Sequence, residues 1–280
     1  MNQQNSCSIQ GRIGFLGAGS ITECIVAGLL KKNLLTPEQI LLTNRNNQER
    51  LAQLAETFGV KVTTDKREVG RTADILILAI KPKDAAEAIM ELRGSLHPGQ
   101  LVISVIAGVS TALIEEWLGI SCPIIRTMPN TSAAVGLSAT ALACNRHVSE
   151  EQFRIASRLL EAIGKVYKVK EEELDIVTGL SGSGPAYIYY LVEAMIAAGT
   201  KGGLSPEVSR QLTLQTVLGA AHMLLDTNQD PALLRRQVTS PGGTTQAGVE
   251  VLESYQFKEA VISAILRATE RSRELGEQYR

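Results

Sequence analysis

Two segments of the chain combine glycines with residue types that bind small anions. The first reads GFLGAGSIT and places Gly17, Gly19 and Thr22 in the spacing G-x-G-x-x-T. Glycines at these positions allow a tight turn and let the backbone approach a pyrophosphate. The N–H groups of Ser20 and Ile21, at the start of the helix expected to follow, would then face the phosphates. The segment predicts a dinucleotide-binding site, although glycine turns without that function are common.

The second segment reads VTSPGGTTQAG, lies near the end of the chain and carries almost no charge. Its Pro-Gly-Gly turn can direct backbone N–H groups at a ligand, and the residues after it read as a helix start, which attracts anions. We expect it to hold a small carboxylate; the alternative is an ordinary helix cap, in which Ser, Thr and Gly are common. The candidate substrate-binding residues are Ser240, Gly242, Gly243, Thr244 and Thr245.

The end of the second predicted strand indicates which dinucleotide binds. A protein that binds NAD usually has an acidic residue there, which binds the ribose 2′-OH. This chain has Thr43, Asn44 and Arg45 instead. We therefore expect no carboxylate that would repel a 2′-phosphate, and we expect Asn44 and Arg45 to contact the cofactor, with Arg45 pairing with the phosphate. NADPH is the predicted cofactor and NADH is possible; the alternative is that Arg45 is a solvated loop arginine.

Two other polar side chains are candidates for the cofactor side of the site. Lys81 follows a predicted strand in the sequence IKP, at the edge where open α/β sheets place their ligands. It could equally be a solvent-exposed lysine at a helix start. Asn130, in the sequence MPNT, follows another predicted strand and is a second candidate.

The elements that must position these residues change in character along the chain. Up to GKVYKVK, apolar runs such as ILILAI and LVISVI alternate with helical patterns, which predicts a Rossmann-type, doubly wound α/β domain. After Lys168 every segment reads as a helix. We therefore predict a nucleotide-binding domain at 1–168, in which residues 1–10 form a disordered lead-in, and an all-helical domain at 169–280.

Two helices of the second half are apolar around most of their circumference. These are the segments 185–199 and 207–225. Such helices must be buried on nearly every side, and about 110 residues of helix cannot easily bury two of them. We infer that a second copy of the chain covers them in a homodimer. The alternative is one buried central helix in a monomeric bundle.

Composition narrows the functional classes. Lys and Arg total 28 and Asp and Glu total 29, a balance that argues against a nucleic-acid or anionic-membrane surface. The N-terminus lacks the apolar region of a signal peptide, and the most apolar stretch is too short to span a membrane. Four cysteines without C-x-x-C spacing and three histidines predict reduced thiols, a cytoplasmic protein and no metal site. The acidic run at 171–173 reads as a solvated helix start.

Several stretches of this sequence resemble the pyrroline-5-carboxylate reductase family, from Ile13 to Glu274. The long stretches in the helical half are the most specific. The stretches are GFLGAGS at 14–20, TNR at 43–45, ILAIKP at 77–82, SVIAGVS at 104–110, RTMPNTSAAVG at 126–136, TGLSGSGPAYIYYLVEAM at 178–195 and VTSPGGTTQAGVEVLE at 238–253.

The resemblance implies NAD(P)H-dependent reduction of 1-pyrroline-5-carboxylate, a cyclic imine, to L-proline, the last step of proline biosynthesis. It implies a Rossmann-type domain, a helical dimerisation domain and further assembly of dimers. It also implies that Ala107 lies on the cofactor side and that the Thr245 hydroxyl is hydrogen-bonded to the substrate nitrogen. The family commonly has Ala at Thr22, where we expect slight packing strain, and often Asn at Lys66. We hypothesise that Lys66 helps Arg45 to bind the 2′-phosphate.

Two other readings of the function remain. One is a β-hydroxyacid dehydrogenase or another imine reductase on the same two-domain plan, which would be expected to carry a catalytic lysine or other acid in the helical half. The other is a non-catalytic NADPH-binding paralogue. Both glycine segments are intact, which counts against a paralogue that has lost its site.

Overall fold

A computed structural model describes Ile9 and residues 11–279 of the chain. They form two compact units, one of residues up to Ser183 together with Arg267 onwards, and one of Gly184–Leu266. Of the predicted disordered lead-in, only Ile9 lies within the described residues. It is buried, and its N–H donates to the carbonyl oxygen of Leu34 at 3.1 Å, so the ordered chain already includes Ile9.

The first unit is built on one twisted sheet with helices in the connections. Its strands are β1 (Ile13–Leu16), β2 (Ile40–Thr43), β3 (Lys61–Thr63), β4 (Ile75–Leu78), β5 (Leu101–Ser104), β6 (Ile124–Met128), β7 (Ser138–Cys144) and β8 (Gly164–Lys168). Its helices are α1 (Ser20–Lys31), α2 (Gln48–Phe58), α3 (Lys66–Thr72), α4 (Ala85–Met90), α5 (Thr111–Leu118), α6 (Glu150–Leu160) and α7 (Leu174–Val177).

The strand order is β3-β2-β1-β4-β5-β6-β7-β8 within the described residues. All neighbouring strands run parallel except β6 and β7, which are antiparallel. The order changes direction at β1 and β4, and open α/β sheets bind ligands at the carboxyl ends of the strands beside such a point. Every residue of β1, β4 and β5 is buried, as their continuous apolar runs predict.

The second unit is helical throughout its described length. Its helices are α8 (Gly184–Lys201), α9 (Pro206–Thr227), α10 (Pro231–Gln237), α11 (Thr244–Ser254) and α12 (Phe257–Glu277), of which α12 continues into the first unit from Arg267. Ser205 and Asp230 cap α9 and α10 with their side chains, and Pro follows each cap, as the sequence predicts. Glycine at Gly199 allows α8 to approach α9, because a Cβ there would lie 2.7 Å from Ser209 Oγ.

The predicted fold class, a Rossmann-type α/β domain followed by an all-helical part, is confirmed. No strand follows Lys168 among the described residues. The compact first unit nevertheless extends to Ser183, because the chain after Lys168 still binds the sheet through hydrogen bonds such as Asn130 Nδ2 to the carbonyl oxygen of Ser181. The predicted boundary at residue 168 thus coincides with the end of the last strand and not with the edge of the compact unit.

Candidate nucleotide and substrate sites

The glycine turn after β1 is held at the carboxyl ends of two neighbouring strands. Gly17 has φ +116°, and a Cβ at this position would lie 2.2 Å from the carbonyl oxygen of Ala79, just after β4. On the other side, Gly17 N–H donates to the carbonyl oxygen of Thr43, at the end of β2, at 2.9 Å. Only glycine satisfies both the backbone conformation and the space.

The N-terminal end of helix α1 faces open space. A Cβ at Gly19, its N-cap, would meet no protein atom within 4 Å among the described residues. No side chain in the described part of the chain caps this end of α1, so its first N–H groups are available for a phosphate. Free backbone N–H groups at a helix start are the donors that bind a pyrophosphate.

Thr22 fits the turn without the packing strain that we expected. Its side chain is fully buried, and its Oγ1 donates a hydrogen bond to the carbonyl oxygen of Gly17 at 2.8 Å. The expectation of strain at Thr22 was wrong, because the hydroxyl group finds a backbone acceptor. Thr22 ties the first turn of α1 to the glycine that begins the loop.

A cavity of about 310 Å³ lies beside this loop in the first unit. Its lining includes six of the predicted cofactor-binding residues, namely Gly17, Gly19, Asn44, Arg45, Lys66 and Lys81. Asn44 Oδ1 accepts hydrogen bonds from the N–H groups of Asn46 and Asn47, so this side chain holds the loop after β2 in place. Lys66 and Arg45 line the same cavity, and their joint role at the 2′-phosphate stays a prediction.

One expectation about this cavity was wrong. Arg45 Nη1 lies 2.5 Å from the Glu87 carboxylate on α4, so an acidic group does stand beside the predicted 2′-phosphate position. Glu87 lies more than 40 residues from Arg45 in the sequence, and nothing in the local pattern around α4 signals this contact. Glu87 does not line the cavity itself, but it contacts Arg45, which does.

Arg50 is a second residue that the sequence did not single out. Its Nε donates to the carbonyl oxygen of Ala18 in the glycine loop at 3.3 Å, and its guanidinium also contacts the carboxylate of Glu23. Arg50 therefore connects α2 with the glycine loop and with α1. An arginine on the surface of an amphipathic helix gives no sequence signal for such a role.

A second cavity of about 550 Å³ in the same unit has a more apolar lining. It includes the remaining predicted cofactor-binding residues, namely Ser20, Ile21, Ala107 and Asn130. Asn130 caps a short 3₁₀ helix, with Oδ1 accepting from Ser132 N–H, and its Nδ2 donates to Ser181. Gly182 completes the wall, where a Cβ would lie 2.8 Å from Met128 Cε. All ten candidate cofactor residues therefore line one of these two cavities.

The second glycine segment lies in the helical unit and opens α11 as predicted. Helix α11 begins at Thr244, and Gly243 at its N-cap has no side-chain cap among the described residues. Two of the N–H groups assigned to the turn already have partners: Gly243 N donates to the Ser240 carbonyl oxygen, and Gly242 N donates to Gln246 Oε1 at 2.8 Å. Gln246, which the sequence did not single out, therefore supports this turn.

Glu171 is not part of a solvated helix start. Its carboxylate accepts hydrogen bonds from the N–H and Oγ1 of Thr111 at 2.8 and 2.7 Å, and it lies 3.0 Å from Arg126 Nη1. Burial alone would raise the pKa of Glu171, but these hydrogen bonds and the charge of Arg126 hold the pKa below its ordinary value. The expectation was wrong because the sequence does not show that α5 and β6 meet this segment.

The described residues contain neither a metal-binding cluster nor a membrane-spanning helix. No group of three or more His, Cys, Asp or Glu side chains in this part of the chain is arranged to hold a metal ion. Within the same residues, no helix is both long enough and apolar enough to cross a bilayer.

The first unit has a Rossmann-type sheet, a helix without a side-chain cap after a glycine turn, and Arg45 just after β2. Together these features define a dinucleotide-binding α/β protein. Models of two protein families match the chain. "NADP oxidoreductase coenzyme F420-dependent" matches residues 12–108, and "Pyrroline-5-carboxylate reductase dimerisation" matches residues 171–275. The first match lies within residues 1–168 and the second within residues 169–280, and the predicted domain bounds stay a prediction.

Individual relatives agree along the whole chain. The chain is 46% identical to pyrroline-5-carboxylate reductase 2 of Bacillus subtilis over 96% of both chains. Among solved structures, a pyrroline-5-carboxylate reductase from Coxiella burnetii has a TM-score of 0.89 at 41% identity, covering 95% of this chain and 99% of that one. The Plasmodium falciparum pyrroline carboxylate reductase with NADP bound has a TM-score of 0.87 at 29% identity, with 96% and 99% covered. This chain belongs to the pyrroline-5-carboxylate reductase family.

Proposed function

We propose that this protein reduces 1-pyrroline-5-carboxylate to L-proline, the last step of proline biosynthesis, with NADPH as the preferred hydride donor and NADH as a possible one. The observation that carries the proposal is the relationship to pyrroline-5-carboxylate reductases over 96% of the chain, with both glycine segments intact. The Plasmodium relative with NADP bound supports the choice of cofactor.

In the proposed mechanism the first unit holds the cofactor. The N–H groups at the start of α1 bind the pyrophosphate, since they open into free space after Gly19. Arg45 and Lys66, which line the first cavity, would contact the adenosine end, and Ala107 and Asn130, which line the second, would contact the nicotinamide end. When bound, the reduced nicotinamide supplies the hydride, and the protein fixes its position.

The second glycine segment holds the substrate in the proposed mechanism. The N–H groups of Thr244 and Thr245 at the uncapped start of α11 bind the substrate carboxylate, with favourable charge from the helix dipole. The Thr245 hydroxyl forms a hydrogen bond with the ring nitrogen. A protonated iminium is already electrophilic, and hydride addition to its carbon leaves a neutral amine. Positioning and exclusion of water therefore lower the barrier without a dedicated general acid.

The proposal includes a homodimer, and dimers that assemble further. The match to a dimerisation family supports the first part. So do the exposed apolar side chains of α8 and α9, of which Tyr190 is 77% and Leu225 is 66% exposed in a single chain. Large apolar patches of this kind mark interaction surfaces.

A cytoplasmic location is also part of the proposal. Three of the four cysteines lie in the described part of the chain, and all three are free thiols: Cys24, Cys122 and Cys144. Burial, together with the neighbouring Glu115 carboxylate, raises the pKa of the Cys122 thiol to about 12, which keeps it protonated and unreactive. Cys7 lies outside the described residues.

The direct test is the oxidation of NADPH, and separately of NADH, by purified protein given 1-pyrroline-5-carboxylate. We expect turnover that is faster with NADPH, that falls at least about tenfold in kcat in Thr245→Ala and that is lost in Gly243→Val. NADPH affinity should be unchanged in Thr245→Ala. The control is Thr57→Ala on α2, which removes an exposed hydroxyl group outside both segments.

Two other outcomes would change the proposal. NADPH binding without turnover of this substrate would contradict the proposal and would favour either a non-catalytic paralogue or a reductase for other imines or β-hydroxyacids. Turnover that survives in Thr245→Ala with an unchanged kcat would keep the reaction and remove Thr245 from the catalytic residues.

A further inference from the structure

Two ion pairs lie side by side at the adenosine end of the nucleotide cavity. Arg45 Nη1 is 2.5 Å from Glu87 Oε2, and Lys66 Nζ is 2.7 Å from Glu91 Oε2. Glu87 and Glu91 are four residues apart, on α4 and at its C-cap, and such residues share one face of a helix. Both cations that we assign to the 2′-phosphate therefore already have carboxylate partners within the protein.

The charges of this group cancel. Two cations and two carboxylates sum to zero, whereas a phosphate monoester carries about −1.5 to −2 charges at pH 7. The hydrogen bond from Arg45 and its charge hold the pKa of Glu87 below its ordinary value, and Lys66 adds to the effect. Glu87 is thus ionised at neutral pH. An incoming 2′-phosphate meets a neutral group in place of two unpaired cations.

The carboxylates of Glu87 and Glu91 differ in how readily they can release their cationic partners. The Lys66 side chain is only 11% exposed, and the carbonyl oxygen of Glu91 also accepts a hydrogen bond from Arg67, so the Lys66–Glu91 pair is part of the packing of α3. Both partners of the Arg45–Glu87 pair are more than half exposed. Exposed pairs are weak and exchange readily with another partner.

We propose that Glu87 is a specificity-determining residue that competes with the 2′-phosphate of NADPH for Arg45 and so narrows the preference for NADPH over NADH. This inference rests on the proposed function, because it requires a nicotinamide dinucleotide in the cavity. With NADPH, Arg45 exchanges the Glu87 carboxylate for the phosphate. With NADH, the Arg45–Glu87 pair persists and the Glu87 carboxylate is available to accept a hydrogen bond from the ribose 2′-OH, as acidic residues do in NAD-binding sites.

The test compares two adenosine fragments that differ by the 2′-phosphate, 2′,5′-ADP and 5′-AMP, by isothermal titration calorimetry. In Glu87→Gln, which keeps the size of the side chain and removes its charge, the ratio of affinities for 2′,5′-ADP over 5′-AMP should rise about two- to fivefold, the range expected for an exposed ion pair. The kcat/KM ratio of NADPH over NADH should rise by a similar factor. Glu56→Gln removes an exposed carboxylate on α2, whereas Glu87 is the carboxylate paired with Arg45, so the Glu56 variant should change neither ratio.

An affinity ratio that is unchanged or lower in Glu87→Gln overturns the inference and assigns Glu87 the task of holding Arg45 in place. Because fragment binding needs no turnover, the outcome is separate from the reaction. A raised ratio in a protein that does not reduce 1-pyrroline-5-carboxylate would keep the role of Glu87 and reject the proposed reaction. If neither fragment binds the parent protein, the inference about Glu87 is overturned, and the proposed reaction is judged by turnover alone.

Discussion

Strands β1, β4 and β5 of the first unit consist entirely of buried residues, whereas α8 of the second unit has no buried residue although most of its side chains are apolar. Burial of apolar surface is the main favourable term in folding. The first unit therefore contains its own core, and the second leaves much of its apolar surface for another molecule to cover. We therefore expect nucleotide binding to depend on local backbone geometry and the stability of the helical unit to depend on association.

The largest effect should come from the turn that anchors the nucleotide-binding unit. In Gly17→Ala the new Cβ would lie 2.2 Å from the Ala79 carbonyl oxygen at φ +116°, so the loop must move. We expect a loss of about 3 kcal/mol or more in the free energy of unfolding and loss of NADPH binding. Urea denaturation and calorimetric titration measure the two quantities.

Gly19→Ala is the matched control for this prediction. A Cβ at Gly19 meets no described protein atom within 4 Å, so the variant should fold with nearly unchanged stability while its methyl group obstructs the pyrophosphate. The two glycines would thus separate a structural from a binding requirement within one motif. Equal destabilisation by both substitutions would contradict this assignment.

The second-largest effect should come from substitutions on α9, which test whether the helical unit associates with a second chain. Leu214 and Leu218 lie one turn apart on α9 and are 42% and 51% exposed. Replacing both with Glu should raise the dimer dissociation constant by about 10- to 100-fold, because two charges would enter an apolar interface. Sedimentation equilibrium over a range of concentrations measures it.

The control for the interface is Val62→Glu on β3, a partly exposed apolar residue of the first unit. It should leave the sedimentation behaviour of the protein unchanged. A parent protein that is monomeric at all concentrations would reject the homodimer and leave the exposed helices without an explanation.

The same difference between the units limits what the sequence alone can predict. Elements with their own periodicity were predictable: the strands, the glycine turn and the starts of α9, α10 and α11 follow from local patterns. Contacts between residues distant in sequence were not. The pairing of Arg45 with Glu87 and of Glu171 with Arg126 depends on which elements meet, and a local pattern does not contain that information. The assignment of Thr245 and the other candidate residues to substrate and cofactor stays a prediction.

The smallest effect concerns an ion pair within the first unit, between Glu171, after the last strand, and Arg126 on β6. Glu171→Gln should lower the free energy of unfolding by about 1–2 kcal/mol at pH 7, since it weakens the hydrogen bonds from Thr111 and the pair with Arg126. The control is Glu172→Gln, which removes the charge of an exposed neighbour. Denaturation at several protein concentrations measures the loss.

The pH dependence of this loss has a defined sign. Because the folded pKa of Glu171 lies below its ordinary value, the ionised carboxylate stabilises the fold above the ordinary pKa of a glutamate. This contribution is lost as the pH falls through the lower, folded value. The difference between parent and Glu171→Gln should therefore be constant from pH 7 to about pH 5 and shrink below about pH 4.5. The stability difference between parent and Glu171→Gln should not vary with protein concentration, because the pair lies within one unit. The effect of replacing Leu214 and Leu218 with Glu should vary with protein concentration. If the loss of stability in Glu171→Gln increased on dilution, the Glu171–Arg126 pair would depend on self-association. The first unit would then not differ from the second in this respect.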